Sequence, residues 1–224
     1  MDMASENSSY ESPVLVPAGA LYLEGNVCIP QDGRGIVLFP YGIESEQRVD
    51  YTVKLGQLFQ KAGLATLLVN LLTAEEKALD AQTGFFRENI DIMHQRIIGI
   101  ANWLSEDSQT QNLRICYFGC GVTGAAVLVA AVNRPDLVVA VASASARLDL
   151  ARAYLTRVEN PVLLLVGEDD AQGMDANRQA LEQLHGAKRL ETISGAANIF
   201  EDSNTQEEVA RLAIQWFDRH LGLG

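Results

Sequence analysis

Apolar residues follow two rhythms along this chain. Short continuous runs, "GIVLFP" (35–40), "LATLLVNLL" (64–72), "LRICYFG" (113–119), "LVVAVAS" (137–143) and "PVLLLVG" (161–167), predict strands buried on both faces. Between them, apolar residues recur at helical spacing. The stretch 49–63 sets Val53, Leu55, Leu58 and Phe59 on one face and stops at Gly63; 86–104 aligns Ile90, Met93, Ile97, Ile100 and Leu104. "TGAAVLVAAVNR" (123–134), "NRQALEQLHG" (177–186) and "QEEVARLAIQWFDRHL" (206–221) predict further helices, and "KRLETIS" (188–194) a last strand. "TAEEKALDAQTG" (73–84) reads as a charged connection.

Near the start, "VLV" (14–16) and "ALYLEGNVCI" (20–29) flank Pro17 and Gly19, which predicts an antiparallel hairpin. Strands alternating with helices then imply a mostly parallel sheet covered on both faces, an α/β class with a doubly wound topology. Sites in such sheets lie at the carboxyl ends of the strands. The length of 224 residues suits a single domain over 13–224. The acidic, serine-rich stretch 1–12 is expected to be a disordered tail, with no secretion signal.

Composition narrows the partners. A net charge of −12 speaks against nucleic acid and anionic membrane surfaces. No apolar run approaches the ~20 residues of a membrane-spanning helix, so no membrane insertion is expected. Cys28, Cys116 and Cys120 lack metal-like spacing and suit the reduced thiols of a cytoplasmic protein. His94, His185 and His220 are scattered, so neither a metal nor a cofactor is expected.

Chemistry concentrates in "YFGCGVTGAA" (117–126), at a strand-to-helix junction. With "AGLATLLVNLLTAEE", "PVLLLVGEDD" and "SGAANIFED" in that order, the chain resembles the dienelactone hydrolase family of the α/β-hydrolase fold. The resemblance runs from about Gly33 to Leu221. It implies cleavage of esters or lactones by a Ser or Cys nucleophile, a His base and an acidic orienter. Carried over one residue at a time, it also implies that this machinery has been lost.

The elbow pattern G-x-S-x-G, read from Gly119, puts Cys120 at the first x, Gly121 in the nucleophile slot, Val122 next, and Thr123 where glycine closes the turn. Gly121 offers no side chain to attack a carbonyl. Cys120 lies one residue early, where a strand side chain turns into the core, and Thr123 is placed to cap a helix. Asp170, three residues past Gly167 and beside Glu168 and Asp169, fills the acid slot. Asn198 of "GAANIF" stands in the His slot, and an amide moves no proton near neutral pH. The oxyanion hole would draw main-chain N–H groups from Val122 and from the "PYGIES" loop, at Gly42 and Ile43, with Tyr41 where a His is frequent.

A degenerate catalytic triad is therefore expected. The leading function is a non-catalytic module that binds a small carbonyl or carboxylate ligand or a protein partner. The alternative is an active hydrolase of small esters or lactones using Cys120 or a water activated by Asp170. A structural subunit of an assembly is a third possibility.

Overall fold

Strand β1 (Tyr10–Ala18) returns through Gly19 into β2 (Leu21–Ile29), forming the expected antiparallel hairpin. There follow β3 (Ile36–Tyr41), β4 (Ala65–Asn70), β5 (Ile115–Cys120), β6 (Val138–Ala144), β7 (Val162–Gly167) and β8 (Lys188–Ile193). This computed structural model describes residues 10–42, 46–87, 89–200 and 203–222. Its strands form one sheet in the order β1-β2-β4-β3-β5-β6-β7-β8. β2 meets β4 antiparallel, and every pair from β4–β3 to β7–β8 is parallel. This is the α/β-hydrolase arrangement, a doubly wound, mostly parallel sheet.

Strand periodicity sorts the core into two layers. Ile36, Leu38, Ile115 and Tyr117 face α3 (Ile90–Glu106) and α4 (Gly121–Asn133). Val37, Phe39, Cys116, Phe118 and Cys120 face α1 (Glu46–Lys61) and α7 (Ser203–Leu221). Phe39 packs against Phe59 and Phe118, each ring 5.1 Å away, and Phe59 reaches Phe217 of α7. The helix α4 is apolar all round because it lies between α3 and the sheet, and its run 125–131 is buried throughout.

Several expectations need correction. The charged stretch 73–84 is no mere connection, because 74–83 of it form helix α2 (Ala74–Thr83). The Thr73 hydroxyl accepts the Glu76 N–H at 3.3 Å, and Glu76 Oε2 accepts the Thr73 N–H at 2.9 Å. Gly84 ends the helix in the left-handed region. On α1 the buried stripe runs Tyr51, Leu55, Phe59, and Val53 points outward. Short turns, α5 (Leu148–Ala151) and a 3₁₀ turn at Leu155–Arg157, follow β6 where the sequence pattern shows nothing. Helix α6 (Ala171–Gln183) starts six residues before the stretch read as helical. Strand β1 begins at Tyr10, inside the stretch 1–12 expected to be a tail; residues 1–9 lie outside the described residues.

Candidate functional site

At the carboxyl end of β5 the chain enters α4 with no intervening loop. Cys120 is still extended (φ −126°, ψ 146°), whereas Gly121 takes φ +56°. That sign of φ turns a strand abruptly into a helix and is free of cost only for glycine. Two residues earlier, a Cβ on Gly119 would sit 2.6 Å from the Thr123 carbonyl oxygen, so the helix can fold back only over a glycine. Thr123 is 1% exposed. Its hydroxyl accepts the Cys120 N–H at 3.0 Å and donates to the Cys120 carbonyl at 2.8 Å. The capping use expected of Thr123 is thus present, and it fastens the turn.

Cys120 is 7% exposed and sits on the α1/α7 side of the sheet. Tyr51 of α1 shares that layer, packing edge-on against Phe200 at 4.9 Å. Its hydroxyl is buried without a hydrogen-bond partner, and burial, then the nearby Cys120, raises its pKa above the ordinary phenol range. On the same strand, burial pushes the Cys116 thiol up to about 12. Buried thiols of this kind pack as small hydrophobes.

The neighbouring strand ends hold the rest. The Arg147 N–H donates to the Gly121 carbonyl at 2.9 Å, and the Ser145 N–H to Leu165 at 2.8 Å. Ser145 has φ +42°, alone among the described non-glycine residues in taking a positive value. Past β7, Asp170 caps α6, its Oδ1 accepting the Gly173 N–H at 2.8 Å. The Asp169 N–H reaches Ala196 at 3.1 Å, which holds the acidic turn against the loop carrying Asn198. Asn198 is half-buried, and its Oδ1 accepts the Phe200 N–H at 3.1 Å. Gly121, Asp170 and Asn198 thus share one edge of the sheet, at the ends of β5, β7 and β8.

On the oxyanion side, Tyr41 is half-buried and its carbonyl accepts the Leu71 N–H at 2.7 Å. Gly42 takes φ +98°, and a Cβ there would lie 1.9 Å from Asn70 Oδ1. Asn70 itself accepts the Leu72 N–H at 3.2 Å. No sequence signal marks Asn70, because its importance comes from contact across the β3–β4 pair. Val122 lies in the first turn of α4, where an N–H has no intrahelical acceptor. Ile43 lies outside the described residues.

Behind this edge, Arg96 of α3 forms a bidentate pair with Glu76, at 2.7 and 2.6 Å, and also donates to the Leu71 carbonyl. The pair fixes the segment between β4 and α2. The pattern of charges along the sequence does not reveal it.

The three histidines are not among these strand-end residues. His94 bonds the Ile90 carbonyl at 3.0 Å and packs near Tyr154. His185 follows α6, whose capped start is at the carboxyl ends of the strands, so it lies toward the amino ends. His220 meets Trp216 edge-on at 4.4 Å near the end of α7, where Arg114 donates to the Leu221 carbonyl at 2.8 Å. Among the described residues no group of His, Cys, Asp and Glu could hold a metal, and no helix is long and apolar enough to cross a membrane.

No protein-family model matches the chain. It is 40% identical to a dienelactone hydrolase from Anabaena variabilis, whose crystal structure superposes with a TM-score of 0.90 over 95% of this chain and 98% of that one. Est1E from Butyrivibrio proteoclasticus shares the fold alone, at 13% identity and a TM-score of 0.71. Two Mycobacterium tuberculosis proteins, whose names place them provisionally among the phosphoribosyl transferases, are 34% identical over 221 residues. That match takes in 99% of this chain and 49% of theirs, so the chain spans about half the length of these curated relatives.

Proposed function

The chain belongs to the dienelactone hydrolase family, and on that premise we propose that its catalytic triad is degenerate and that it serves as a binding module. Its ligand would be a small molecule with a carbonyl or carboxylate group, held at the strand ends, or else a protein partner. The observation that carries the reading is Gly121. The apex of the elbow has the backbone sign a nucleophile would need and no side chain to do the work. Asn198 in the His slot supports it, since an amide cannot take a proton from a hydroxyl or thiol at neutral pH. Asp170 supports it too, its carboxylate being engaged by the start of α6. What persists is the means to hold a carbonyl oxygen: the first-turn N–H of Val122 and the turn at Gly42.

Catalysis through Cys120 is the alternative, and its burial among Phe39, Phe118 and Tyr51 weighs against it. The phosphoribosyl transferase name is not carried over from proteins of which this chain matches half. A phosphorylated pentose calls for cations or converging N–H groups. The turn after β7 instead carries Glu168, Asp169 and Asp170.

The test is turnover of a panel of short-chain chromogenic esters and lactones by purified protein, beside a mock purification. A fluorophosphonate probe is run in parallel. We expect neither turnover above background nor labelling. Saturable hydrolysis that follows the protein through purification would overturn the proposal.

A further inference from the structure

The sheet ends in two free edges, β1 and β8, and they differ in what they offer another strand. β1 carries Pro13 and Pro17. Proline lacks an N–H and sits in edge strands with its nitrogen turned outward, so that edge has gaps in its row of donors. β8 contains no proline. The Val162 N–H donates to the Ala187 carbonyl at 2.8 Å and the Glu168 N–H to the Ile193 carbonyl at 3.0 Å. Those bonds, with Val162 beside Lys188 in a parallel register, turn the main-chain groups of Arg189, Glu191 and Ile193 toward β7. The N–H and C=O groups of Lys188, Leu190 and Thr192 point out of the sheet, where no strand meets them.

An edge strand left open in this way is commonly blunted by charge. Lys188, Arg189 and Glu191 supply charge, and their order selects one partner instead of excluding all. Against the β8 of a second copy running antiparallel, outward-facing residues must oppose outward-facing residues. With the two-fold axis at Leu190, Leu190 meets its own copy, Lys188 meets Thr192, and each Arg189 stands across from the Glu191 of the other chain. Such non-hydrogen-bonded pairs bring side chains closest, and opposite charges there are favourable. Moving the axis to Arg189 opposes two arginines, and moving it to Glu191 opposes two glutamates. Both alternatives are repelled.

The side chains are placed for the favoured register. Arg189 and Glu191 lie on the α7 side of β8, beside Leu212 and Trp216, and pair with each other through the arginine Nε. A guanidinium has five N–H donors, so it can serve a second carboxylate as well. Lys188 is turned onto α6, its Nζ donating to the Leu184 carbonyl at 2.7 Å. We propose that the chain forms a two-fold symmetric homodimer by antiparallel pairing of β8 with the β8 of a second copy, joining the two sheets into one. The contact is independent of whether the elbow is catalytic. One short strand pair is a small interface between chains of charge −12, so a dissociation constant in the micromolar range is expected.

The experiment is sedimentation velocity of the full chain from low micromolar to near-millimolar concentration in physiological salt. The mass should rise from 24.4 kDa toward twice that value. Amide hydrogen exchange supplies a signature of the edge. Exchange at Lys188, Leu190 and Thr192 should slow as concentration rises, whereas Arg189, Glu191 and Ile193 are protected by β7 throughout. Thr192→Pro removes an outward donor at an exposed position and should weaken association about tenfold or more. Arg189→Glu should weaken it similarly by opposing carboxylates, and adding Glu191→Arg should restore it, because the pairs re-form with their signs exchanged. Thermal melts of each variant report folding independently of association. A chain that stays monomeric at near-millimolar concentration overturns the proposal. So does a dimer whose Lys188, Leu190 and Thr192 amides exchange as in the monomer, one that either folded single variant leaves unweakened, or a double variant no tighter than Arg189→Glu.

Discussion

The hydroxyl of Thr123 holds both the N–H and the carbonyl of Cys120, at 3.0 and 2.8 Å. A threonine thereby closes the turn from β5 to α4 at the position where the family pattern has glycine. Thr123→Val keeps the volume but leaves the buried Cys120 N–H without that acceptor. We expect a loss of about 1–3 kcal/mol, the cost of an unsatisfied buried group. Urea denaturation of the variant beside the wild type measures it, and an unchanged midpoint would show that the hydroxyl is dispensable.

If the triad is degenerate as proposed, supplying one of its members should yield no activity. Gly121→Ser adds a hydroxyl with no base, and Asn198→His adds a base with nothing to activate. The double variant is expected to gain slow ester hydrolysis, far beyond the sum of the single effects. Rates should stay low, because Asp170 is bonded to the Gly173 N–H and because serine at φ +56° carries strain of about 1–3 kcal/mol. Thr123 should be left in place, since Thr123→Gly would remove both bonds that fasten the turn. Burst and steady-state kinetics of the folded variants decide the matter; full activity in Gly121→Ser alone would reveal a base at another position.

Cys120 should react slowly with iodoacetamide in the native protein and fast once the protein is unfolded in urea. Its burial on the α1/α7 side motivates the expectation. Peptide mapping after timed labelling separates it from Cys28 and Cys116. Stoichiometric labelling within minutes near neutral pH would instead favour a thiolate at the elbow.

The Glu76–Arg96 pair should make stability depend on acid. The Arg96 guanidinium, followed by the Thr73 N–H, lowers the Glu76 pKa despite partial burial. A folded pKa below the unfolded one adds stability that is complete above the unfolded value, about 4.3, and disappears as pH falls through the folded value. Glu76→Gln should therefore lose on the order of 3 kcal/mol at neutral pH, because Arg96 remains buried with a weaker partner. The gap to wild type should hold above about 4.3 and narrow as pH falls below it towards the depressed folded value. Denaturation midpoints across that range report it, and a gap that stays constant with pH would contradict the assigned role.

Sequence by itself determined the class of the fold. Short apolar runs bounded by glycine and proline, such as 35–40 and 161–167, suit a sheet covered on both faces, and the helical spacing of Met93, Ile97, Ile100 and Leu104 indicates what covers it. It also determined that Gly121 and Asn198 bring neither a nucleophile nor a base, because residue type alone settles what a side chain can do. Helix α2 escaped because its stability comes from the Thr73–Glu76 caps and from Arg96, twenty residues further along, rather than from an apolar stripe. The outward turn of Val53 depended on where α1 meets the sheet, which periodicity leaves free within about a residue. Only the tertiary structure set Asn70 beneath Gly42, tied Thr123 across the elbow and assigned Asp170 to cap α6. Each of these is a relation between atoms brought together by strand pairing or helix packing, and no local rhythm of apolar and polar residues encodes it.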